Sequence, residues 1–392
     1  MTRTILDIHA LQTVPPSCVN RDDTGTPKTA VYGGVRRARV SSQAWKRAIR
    51  KAFHELLDPS ELGVRTRRVA EVLAGRIQEL DPSIETSEAW ALAAETIQTA
   101  TGSKTEIPKR KDKGDGAVAP ESKYLLFLSA HQLGGLAELA LKGRDDIKAF
   151  FKDKAAKDQA KQIANSRHSV DIALFGRMVA DDADINVDAA AQVAHAISVH
   201  RVDNESDYFT AVDDHQETDD LGAGMIGTVE FNSATLYRYA AVDVDLLRAN
   251  LGAGLREDEP VTEPVRRAVE AFVRCFVTSL PTGKINTFGN HTLPDAVVVK
   301  IRSLRPISFV GAFEEPCPVD PETGGYLKAA SQALAAYVPE IERAYGEADV
   351  PAWVLRVGKN THELSALGRE VASISELVSA VSAEVVRRQG GA

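Results

Sequence analysis

The order of elements read from this sequence predicts an α+β protein, one discontinuous domain interrupted by two insertions. Three observations predict it. The chain opens with a strand–helix–strand pattern, the stretch from about 60 to 180 is helical in composition, and extended and helical segments alternate from 228 onward.

Taken in order, Thr4–Leu11 alternates apolar and polar residues, with Leu6, Ile8 and Ala10 on one face of a strand. The loop VPPSCVNRDDTGTPKT follows, and Gly33-Gly34 breaks the extended segment TAVYGGVRRARVSS. Ser41 or Ser42 caps a helix running to about Leu57. Trp45, Ile49, Ala52, Phe53 and Leu56 form its apolar stripe, and Lys46, Arg47, Arg50 and Lys51 line the other side. RTRRVAEVLAGRIQELD and SEAWALAAETIQTA read as helices of an insertion, followed by the polar break TEIPKRKDKGDGAVAPES. Residues 195–227 read as an irregular excursion with glycines at its exit. TVEFNSATLYRYAAVDVD is extended, VTEPVRRAVEAFVRCFVTSLP helical, and PDAVVVKIRSLRPISFVGAF extended again. LKAASQALAAYVPEIERAYGE and THELSALGREVASISELVSAVSAEVVRR close the chain as helices.

At 392 residues, 44% apolar and 26% charged, the chain is expected to bury a large core and not to be disordered. No apolar run approaches the ~18 residues that span a bilayer, so no membrane partner is expected. Asp7 and His9 interrupt the first apolar segment, which is unlike a signal peptide. Cys18, Cys275 and Cys317 are far apart and form no CxxC, which fits a reducing cytoplasm.

Charge is the main functional signal. The protein is acidic, at net −8, yet no acid lies between Asp23 and Glu55, where Lys28, Arg36, Arg37, Arg39, Lys46, Arg47, Arg50 and Lys51 cluster. A solvated helix face would mix in Glu or Asp at i±4. A segregated stripe of cations suits a polyphosphate backbone, since each neutralised phosphate releases a counterion. Lys104, Lys109, Arg110, Lys111 and Lys113 form a second basic cluster. A third, Lys142 to Lys161, is diluted with Asp and reads as a solvated surface. From Arg201 to Asp220 the sign inverts, with eight acids around Tyr208-Phe209. An aromatic pair among so many acids reads as an exposed contact tip.

Other patterns favour plainer readings. Gly222 to Gly227 matches GxGxxG, but an acidic loop precedes it and a strand follows, so hinge glycines explain it better than a dinucleotide site. His195 and His200, with Asp203 and Glu205, lack the shared geometry of a metal site. Asp22-Asp23 could pair for metal-assisted phosphodiester cleavage, but adjacent acids in N-R-D-D-T-G more often cap turns. Asp7 and His9 are expected to make structural hydrogen bonds.

The run NRDDTGTPKTAVYGGVRRARVSSQAWKRAIRKAF resembles the CasC family, the backbone subunit of the type I-E CRISPR surveillance complex, Cascade. The resemblance continues through SVDIALFGRM (169–178), DYFTAVDD (207–214) and TVEFNSATLYRY (228–239), and is poorest near 104–120 and from Pro281 to His291. It implies an RRM-like, ferredoxin-type palm (1–59, 181–194 and 228–392), a helical finger insertion (60–180) and a protruding thumb loop (195–227). Copies would stack head to tail along one CRISPR guide RNA, each thumb folding over RNA at its neighbour. Partners implied are the guide RNA, the target DNA strand paired to it, neighbouring copies, guide-end caps, and large and small subunits. Guide-phosphate contacts fall on Arg21, Lys28, Lys46 and Arg50, within a stripe that includes Arg36, Arg37, Arg39, Ser42, Gln43 and Arg47. Met178 matches a finger residue packing on bases, and Tyr208, Phe209 and Thr210 match the thumb. The resemblance implies no cofactor, metal or nuclease activity. The alternative is a type III-like backbone subunit that cuts target RNA with Asp22 or Asp23.

Overall fold

The structure, a computed structural model, describes residues 3–108, 118–179, 183–211, 225–252, 259–260, 262–322, 324–347 and 349–390. Its architecture is mixed α+β, and the chain divides into two compact units. The first comprises Met1–Phe53, Gln192–Val242 and Val269–Ala392, the second His54–Ala191 and Asp243–Ala268.

In the first unit the strand Ile5–Ser17 lies inside a ten-stranded sheet. It runs antiparallel to Ala296–Arg302, with Ile5 opposite Arg302 and Leu11 opposite Ala296. Ala352–Arg356 and Arg369–Glu370 extend the sheet beyond that strand. On its other side come Met225–Asp243, Ala196–Ser198, Val35–Val40 and Thr29–Tyr32. Every residue of Ala296–Arg302 is buried, which explains its unbroken AVVV run. One face of the sheet, with Tyr237, Val298 and Val354, joins Phe309, Phe313 and the helix residues Leu334 and Val338 in a single core.

That core contains an ionic network anchored on the first strand. Arg302 Nε donates to Asp7 Oδ2 at 2.6 Å, and its Nη2 reaches Glu342 Oε1 at 2.7 Å. Lys300 Nζ donates to Glu342 Oε2 at 2.9 Å. Burial raises the Asp7 carboxyl to about 6 even with Arg302 beside it. His9 stacks on Phe309, centroids 4.1 Å apart, and its Nδ1 lies 2.9 Å from the Tyr237 hydroxyl. Burial holds that imidazole neutral. Asp7 and His9 are structural.

The second unit is mostly helical. Helices Val69–Leu80, Thr86–Thr101, Ala130–Lys142 and Lys154–Ala164 share one core built on Leu73, Ile77, Leu92, Ile97 and Leu136. A capping box starts the third of them: Ser129 Oγ accepts from Gln132 N, and Gln132 Oε1 accepts from Ser129 N. Residues 243–268, which the sequence grouped with the last segment, belong to this unit. Asn250 Nδ2 donates to the carbonyls of Ala173 and Asp188, and Arg267 pairs with Glu61 at 2.7 Å.

Several elements differ from expectation. The first helix ends at Phe53, leaving Leu56 exposed and Leu57 buried in its place. Strand Ala296–Arg302 stops where expected strand continues to Phe313, because Pro306 and a 3-10 turn at Val310–Phe313 follow. The final helix spans Ile374–Gly390 only; 3-10 turns occupy Lys359–Leu367. Gly368 accounts for the break: a β-carbon there would come within 2.7 Å of the Ala352 backbone, so the chain crosses that strand extended. Strands Ala352–Arg356, Ala196–Ser198 and the pair Gly63–Thr66 with Leu126–Ser129 are too short to give a period of their own.

Candidate nucleic-acid interface

The cationic stripe is carried by the loop, hairpin and helix that follow the first strand. Asn20 ties the loop together: its carbonyl accepts from Lys28 N and its Oδ1 from Ser41 N, both at 2.9 Å. Asp22 Oδ1 accepts from Thr24 N, Thr24 Oγ1 and Thr26 N at 2.7–3.1 Å. These bonds hold the exposed carboxyl below its usual range. Asp22 thus has the geometry of a turn cap. Arg21 bridges Pro27 across this turn, and its side chain is exposed.

Strands Thr29–Tyr32 and Val35–Val40 form a hairpin whose two-residue turn is Gly33-Gly34, with φ +58 and +75. Positive φ at both positions suits the right-handed twist of the strands and favours glycine. Gly33 also lies directly against the Glu314 carbonyl, where a side chain would clash. Strand alternation then separates the arginines. Arg36 is exposed, whereas Arg37 is 0% exposed. The Arg37 guanidinium donates to four carbonyls, of Tyr32, Ser198, Phe313 and Glu314, at 2.9–3.1 Å. Its donors face inward, so Arg37, which the sequence places in the stripe, serves here as an internal clamp. Arg39 is half-buried, donating to Thr29 O at 3.2 Å and lying 3.0 Å from His195 Nδ1. Burial, then Arg39 and Lys28, keep the His195 imidazole below its ordinary value.

Ser41 starts the basic helix, its Oγ accepting from Ala44 N. Trp45, Ile49 and Phe53 turn into the core. Gln43, Arg47 and Lys51 are exposed, and Ser42, Lys46 and Arg50 are half-buried. Burial lowers the Lys46 ammonium below its ordinary value, and a nearby anion would oppose that shift. Lys28 and Arg39 border a cleft of ≈ 20 Å³ over Val14, Ala38 and Leu236. It has room for about one water.

The segment 195–227 is more regular than expected. Glu205–Ala211 is a strand antiparallel to Met225–Asp243, pairing Tyr208 with Thr228 and Phe209 with Gly227. Tyr208 is 61% and Phe209 41% exposed. Adjacent strand residues point to opposite faces, so the two rings cannot form one wedge. The far edge of the Phe209 ring occupies the space a side chain on Gly227 would need. Gly227 is a packing glycine and not a hinge; Gly222, Gly224 and the acids from 213 to 220 lie outside the described residues. Thr210 is exposed on the Tyr208 face.

His200 is committed to structure: its Nδ1 lies 2.7 Å from Arg201 O, its Nε2 accepts from Thr235 N, and its ring stacks on Tyr326 at 3.6 Å. Asp203 pairs with Arg201. Among the described residues no cluster of His, Cys, Asp and Glu could hold a metal ion.

In the helical unit Met178 is 84% exposed between two anchors. Arg177 exchanges backbone hydrogen bonds with Val187, and Val179 N donates to Asn186 Oδ1 at 2.6 Å. The buried Arg177 guanidinium donates to Ile185 O at 2.7 Å. A rigid loop holding an apolar side chain in solvent suits contact with a flat apolar partner. Of the second basic cluster, Lys104 is exposed; 109–117 lie outside the described residues.

Sequence reasoning weighed His195 only as a metal ligand and missed its contact with Arg39, and it missed Lys284, whose φ of +50 is rare for a side chain. A hint of the second lay in TGKINTFGN, where glycines flank the lysine without regular periodicity.

A family model described as CT1975-like protein matches residues 6–380. A chain from the solved structure titled "CRISPR RNA-guided surveillance complex, pre-nicking" is 36% identical, with a TM-score of 0.82, covering 97% of this chain and 100% of that one. Another, from "CRISPR RNA-guided surveillance complex", is 33% identical with a TM-score of 0.72, covering 97% and 99%. No match was found among curated proteins. With 375 of its residues inside the family model (6 to 380) and its fold shared over nearly its whole length with these subunits, the chain belongs to the CT1975-like family.

Proposed function

We propose that this protein is the backbone subunit of a Cascade-type CRISPR surveillance complex, of type I-E, binding guide RNA without cutting it. The observation that carries this reading is the stripe of Lys28, Arg36, Arg39, Lys46, Arg47, Arg50 and Lys51, with no acid between Asp23 and Glu55 in sequence, fixed on a well-packed hairpin and helix and preceded by Arg21. Such cations bind phosphate whatever the base, and base pairing with a target DNA strand then supplies specificity.

In this reading the first unit is an RRM-like palm, supported by its central antiparallel strands with helices on the sheet. The helical unit is the finger, presenting Met178, and the segment 195–227, whose strand Glu205–Ala211 pairs with Met225–Asp243, is the thumb. Copies stack head to tail along the guide in the cytoplasm, an open-ended arrangement that guide-end caps close and that large and small subunits flank. The engagement of Asp22 Oδ1 by Thr24 and Thr26 supports a turn-capping role for this residue over the nuclease role of the alternative.

The test is co-expression with a CRISPR array, followed by light scattering and the 260/280 nm absorbance ratio. The reading predicts RNA-containing oligomers of discrete mass and monomers or irregular aggregates without RNA. Identical mass distributions with and without RNA would contradict it. Magnesium-dependent cleavage of target RNA that Asp22→Ala or Asp23→Ala abolishes would favour the nuclease alternative.

A further inference from the structure

The segment Thr282–His291 follows the helix Thr262–Thr278 and lies outside the stripe in sequence. It is built against the turn that carries the start of the cationic stripe. Gly283 lies against the carbonyls of Cys18 and Val19, where an added β-carbon would come within 2.6 Å of the Cys18 oxygen. Asn290 Nδ2 reaches Ser17 Oγ at 3.4 Å, and Gln12 Nε2 donates to Thr292 O at 2.8 Å. Phe288 sits beside Phe231 of the long strand, centroids 5.8 Å apart. The loop is therefore fastened at both ends to the first strand and its following turn.

At its centre Lys284 is half-exposed and adopts φ +50, ψ +30. Left-handed backbone is costly for a residue with a β-carbon, and glycine would relieve it. Lysine here keeps a charge at the expense of local strain, a pattern that points to function when the surroundings fix the residue. Lys284 and Arg21 both act electrostatically on the buried Cys18 thiol, as do Asp22 and Glu230. Asp22 is folded into its own turn by Thr24 and Thr26.

We propose that Lys284 is a guide-phosphate contact, carried on a loop that the close approach of Gly283 to Val19 seats against the turn leading to Arg21, and extending the stripe onto a second loop. This rests on the RNA-binding reading, and the test separates the two. Binding of the full-length protein to guide RNAs of unrelated sequence is measured across salt concentrations for wild type, Lys284→Gly, Lys284→Arg and Lys28→Ala. Lys284→Gly allows the left-handed backbone without strain and removes the charged side chain. It should flatten the log–log salt slope by about 0.7, the single-strand value per phosphate, alike for every sequence, and Lys284→Arg should restore it. Gly283→Ala, with all charges present, should also weaken binding because the loop cannot seat; its folding is checked by thermal melting. A wild-type slope for Lys284→Gly while Lys28→Ala flattens it overturns the inference and leaves the RNA reading standing. Wild-type slopes for both variants overturn the inference together with that reading.

Discussion

The guanidinium of Arg238, on the long strand, lies 3.8 Å from the ring centroid of Trp45, on the basic helix. Arg238 is almost wholly buried, donates to Gln12 Oε1 at 2.7 Å, and also reaches the Phe276 carbonyl. A buried cation stacked on an indole fixes both the position and the rotation of the helix, and so the direction in which Lys46 and Arg50 point. Trp45→Ala should cost about 3–5 kcal/mol of stability, as large-to-small core changes do. Arg238→Ala should cost at least about 1–3 kcal/mol by leaving buried acceptors unpaired. Chemical denaturation measures both, and the expected signature is a parallel fall in RNA affinity although neither residue is exposed.

Arg36 and Arg37 are adjacent yet should behave oppositely. Arg37→Ala removes the donor to four carbonyls and should destabilise by at least about 1–3 kcal/mol, the cost of leaving a buried acceptor unpaired. Arg36→Ala, at an exposed position, should change stability by less than about 0.5 kcal/mol and flatten the salt dependence of RNA binding. Urea unfolding and binding titrations on the pair distinguish the internal clamp from the arginine proposed to contact RNA.

Acid should weaken the fold through its buried histidines. His9 is neutral in the folded chain and ordinary in the unfolded one, so below about pH 6.5 only the unfolded chain takes up that proton. Stability then declines as pH falls, by up to about 1.4 kcal/mol per unit for one such group. His168, lowered to about 4, and His200, also lowered, act in the same direction. Asp7, raised to about 6, acts in the opposite direction between about 6 and 3.8. His9→Phe should be less stable than wild type at pH 7, because the Tyr237 hydroxyl loses one of its hydrogen-bond partners and keeps only others such as Phe309 N, but its stability should fall less between pH 7 and 5.5. Urea midpoints at the two pH values check this.

Because Tyr208 and Phe209 face opposite sides of the arm, their contributions should be nearly additive. Gly227→Val should displace the Phe209 ring and reproduce the effect of Phe209→Ala, leaving Tyr208 in place. Each stacked base contributes on the order of 1–3 kcal/mol, so each single variant should make the ribonuclease footprint of the assembled complex less regular. A footprint unchanged in the Tyr208→Ala/Phe209→Ala double variant would assign the arm to protein contacts alone.

Elements with a period were legible in the sequence. The spacing of Trp45, Ile49 and Phe53 identified the basic helix and its inward face, and the Gly33-Gly34 pair marked the hairpin turn. What was hidden depends on partners distant in sequence. Nothing in VRRARV shows that Arg37 meets carbonyls near 313, and only the pairing with Gly227 reveals Glu205–Ala211 as a strand. Strands of three to five residues carry too few positions for alternation to stand out. Gly368 ended an otherwise helical pattern through its close approach to Ala352, which composition does not encode.

The central claim is that the cationic stripe binds an RNA backbone. The direct measurement is the salt dependence of guide-RNA affinity for the Lys28→Ala/Lys46→Ala/Arg50→Ala variant against wild type. The expected result is a log–log slope smaller by about 2, near 0.7 for each single-strand phosphate no longer neutralised, and equal weakening for guides of unrelated sequence. Wild-type affinity and slope in the triple variant would show the stripe to be a solvated face and contradict the claim.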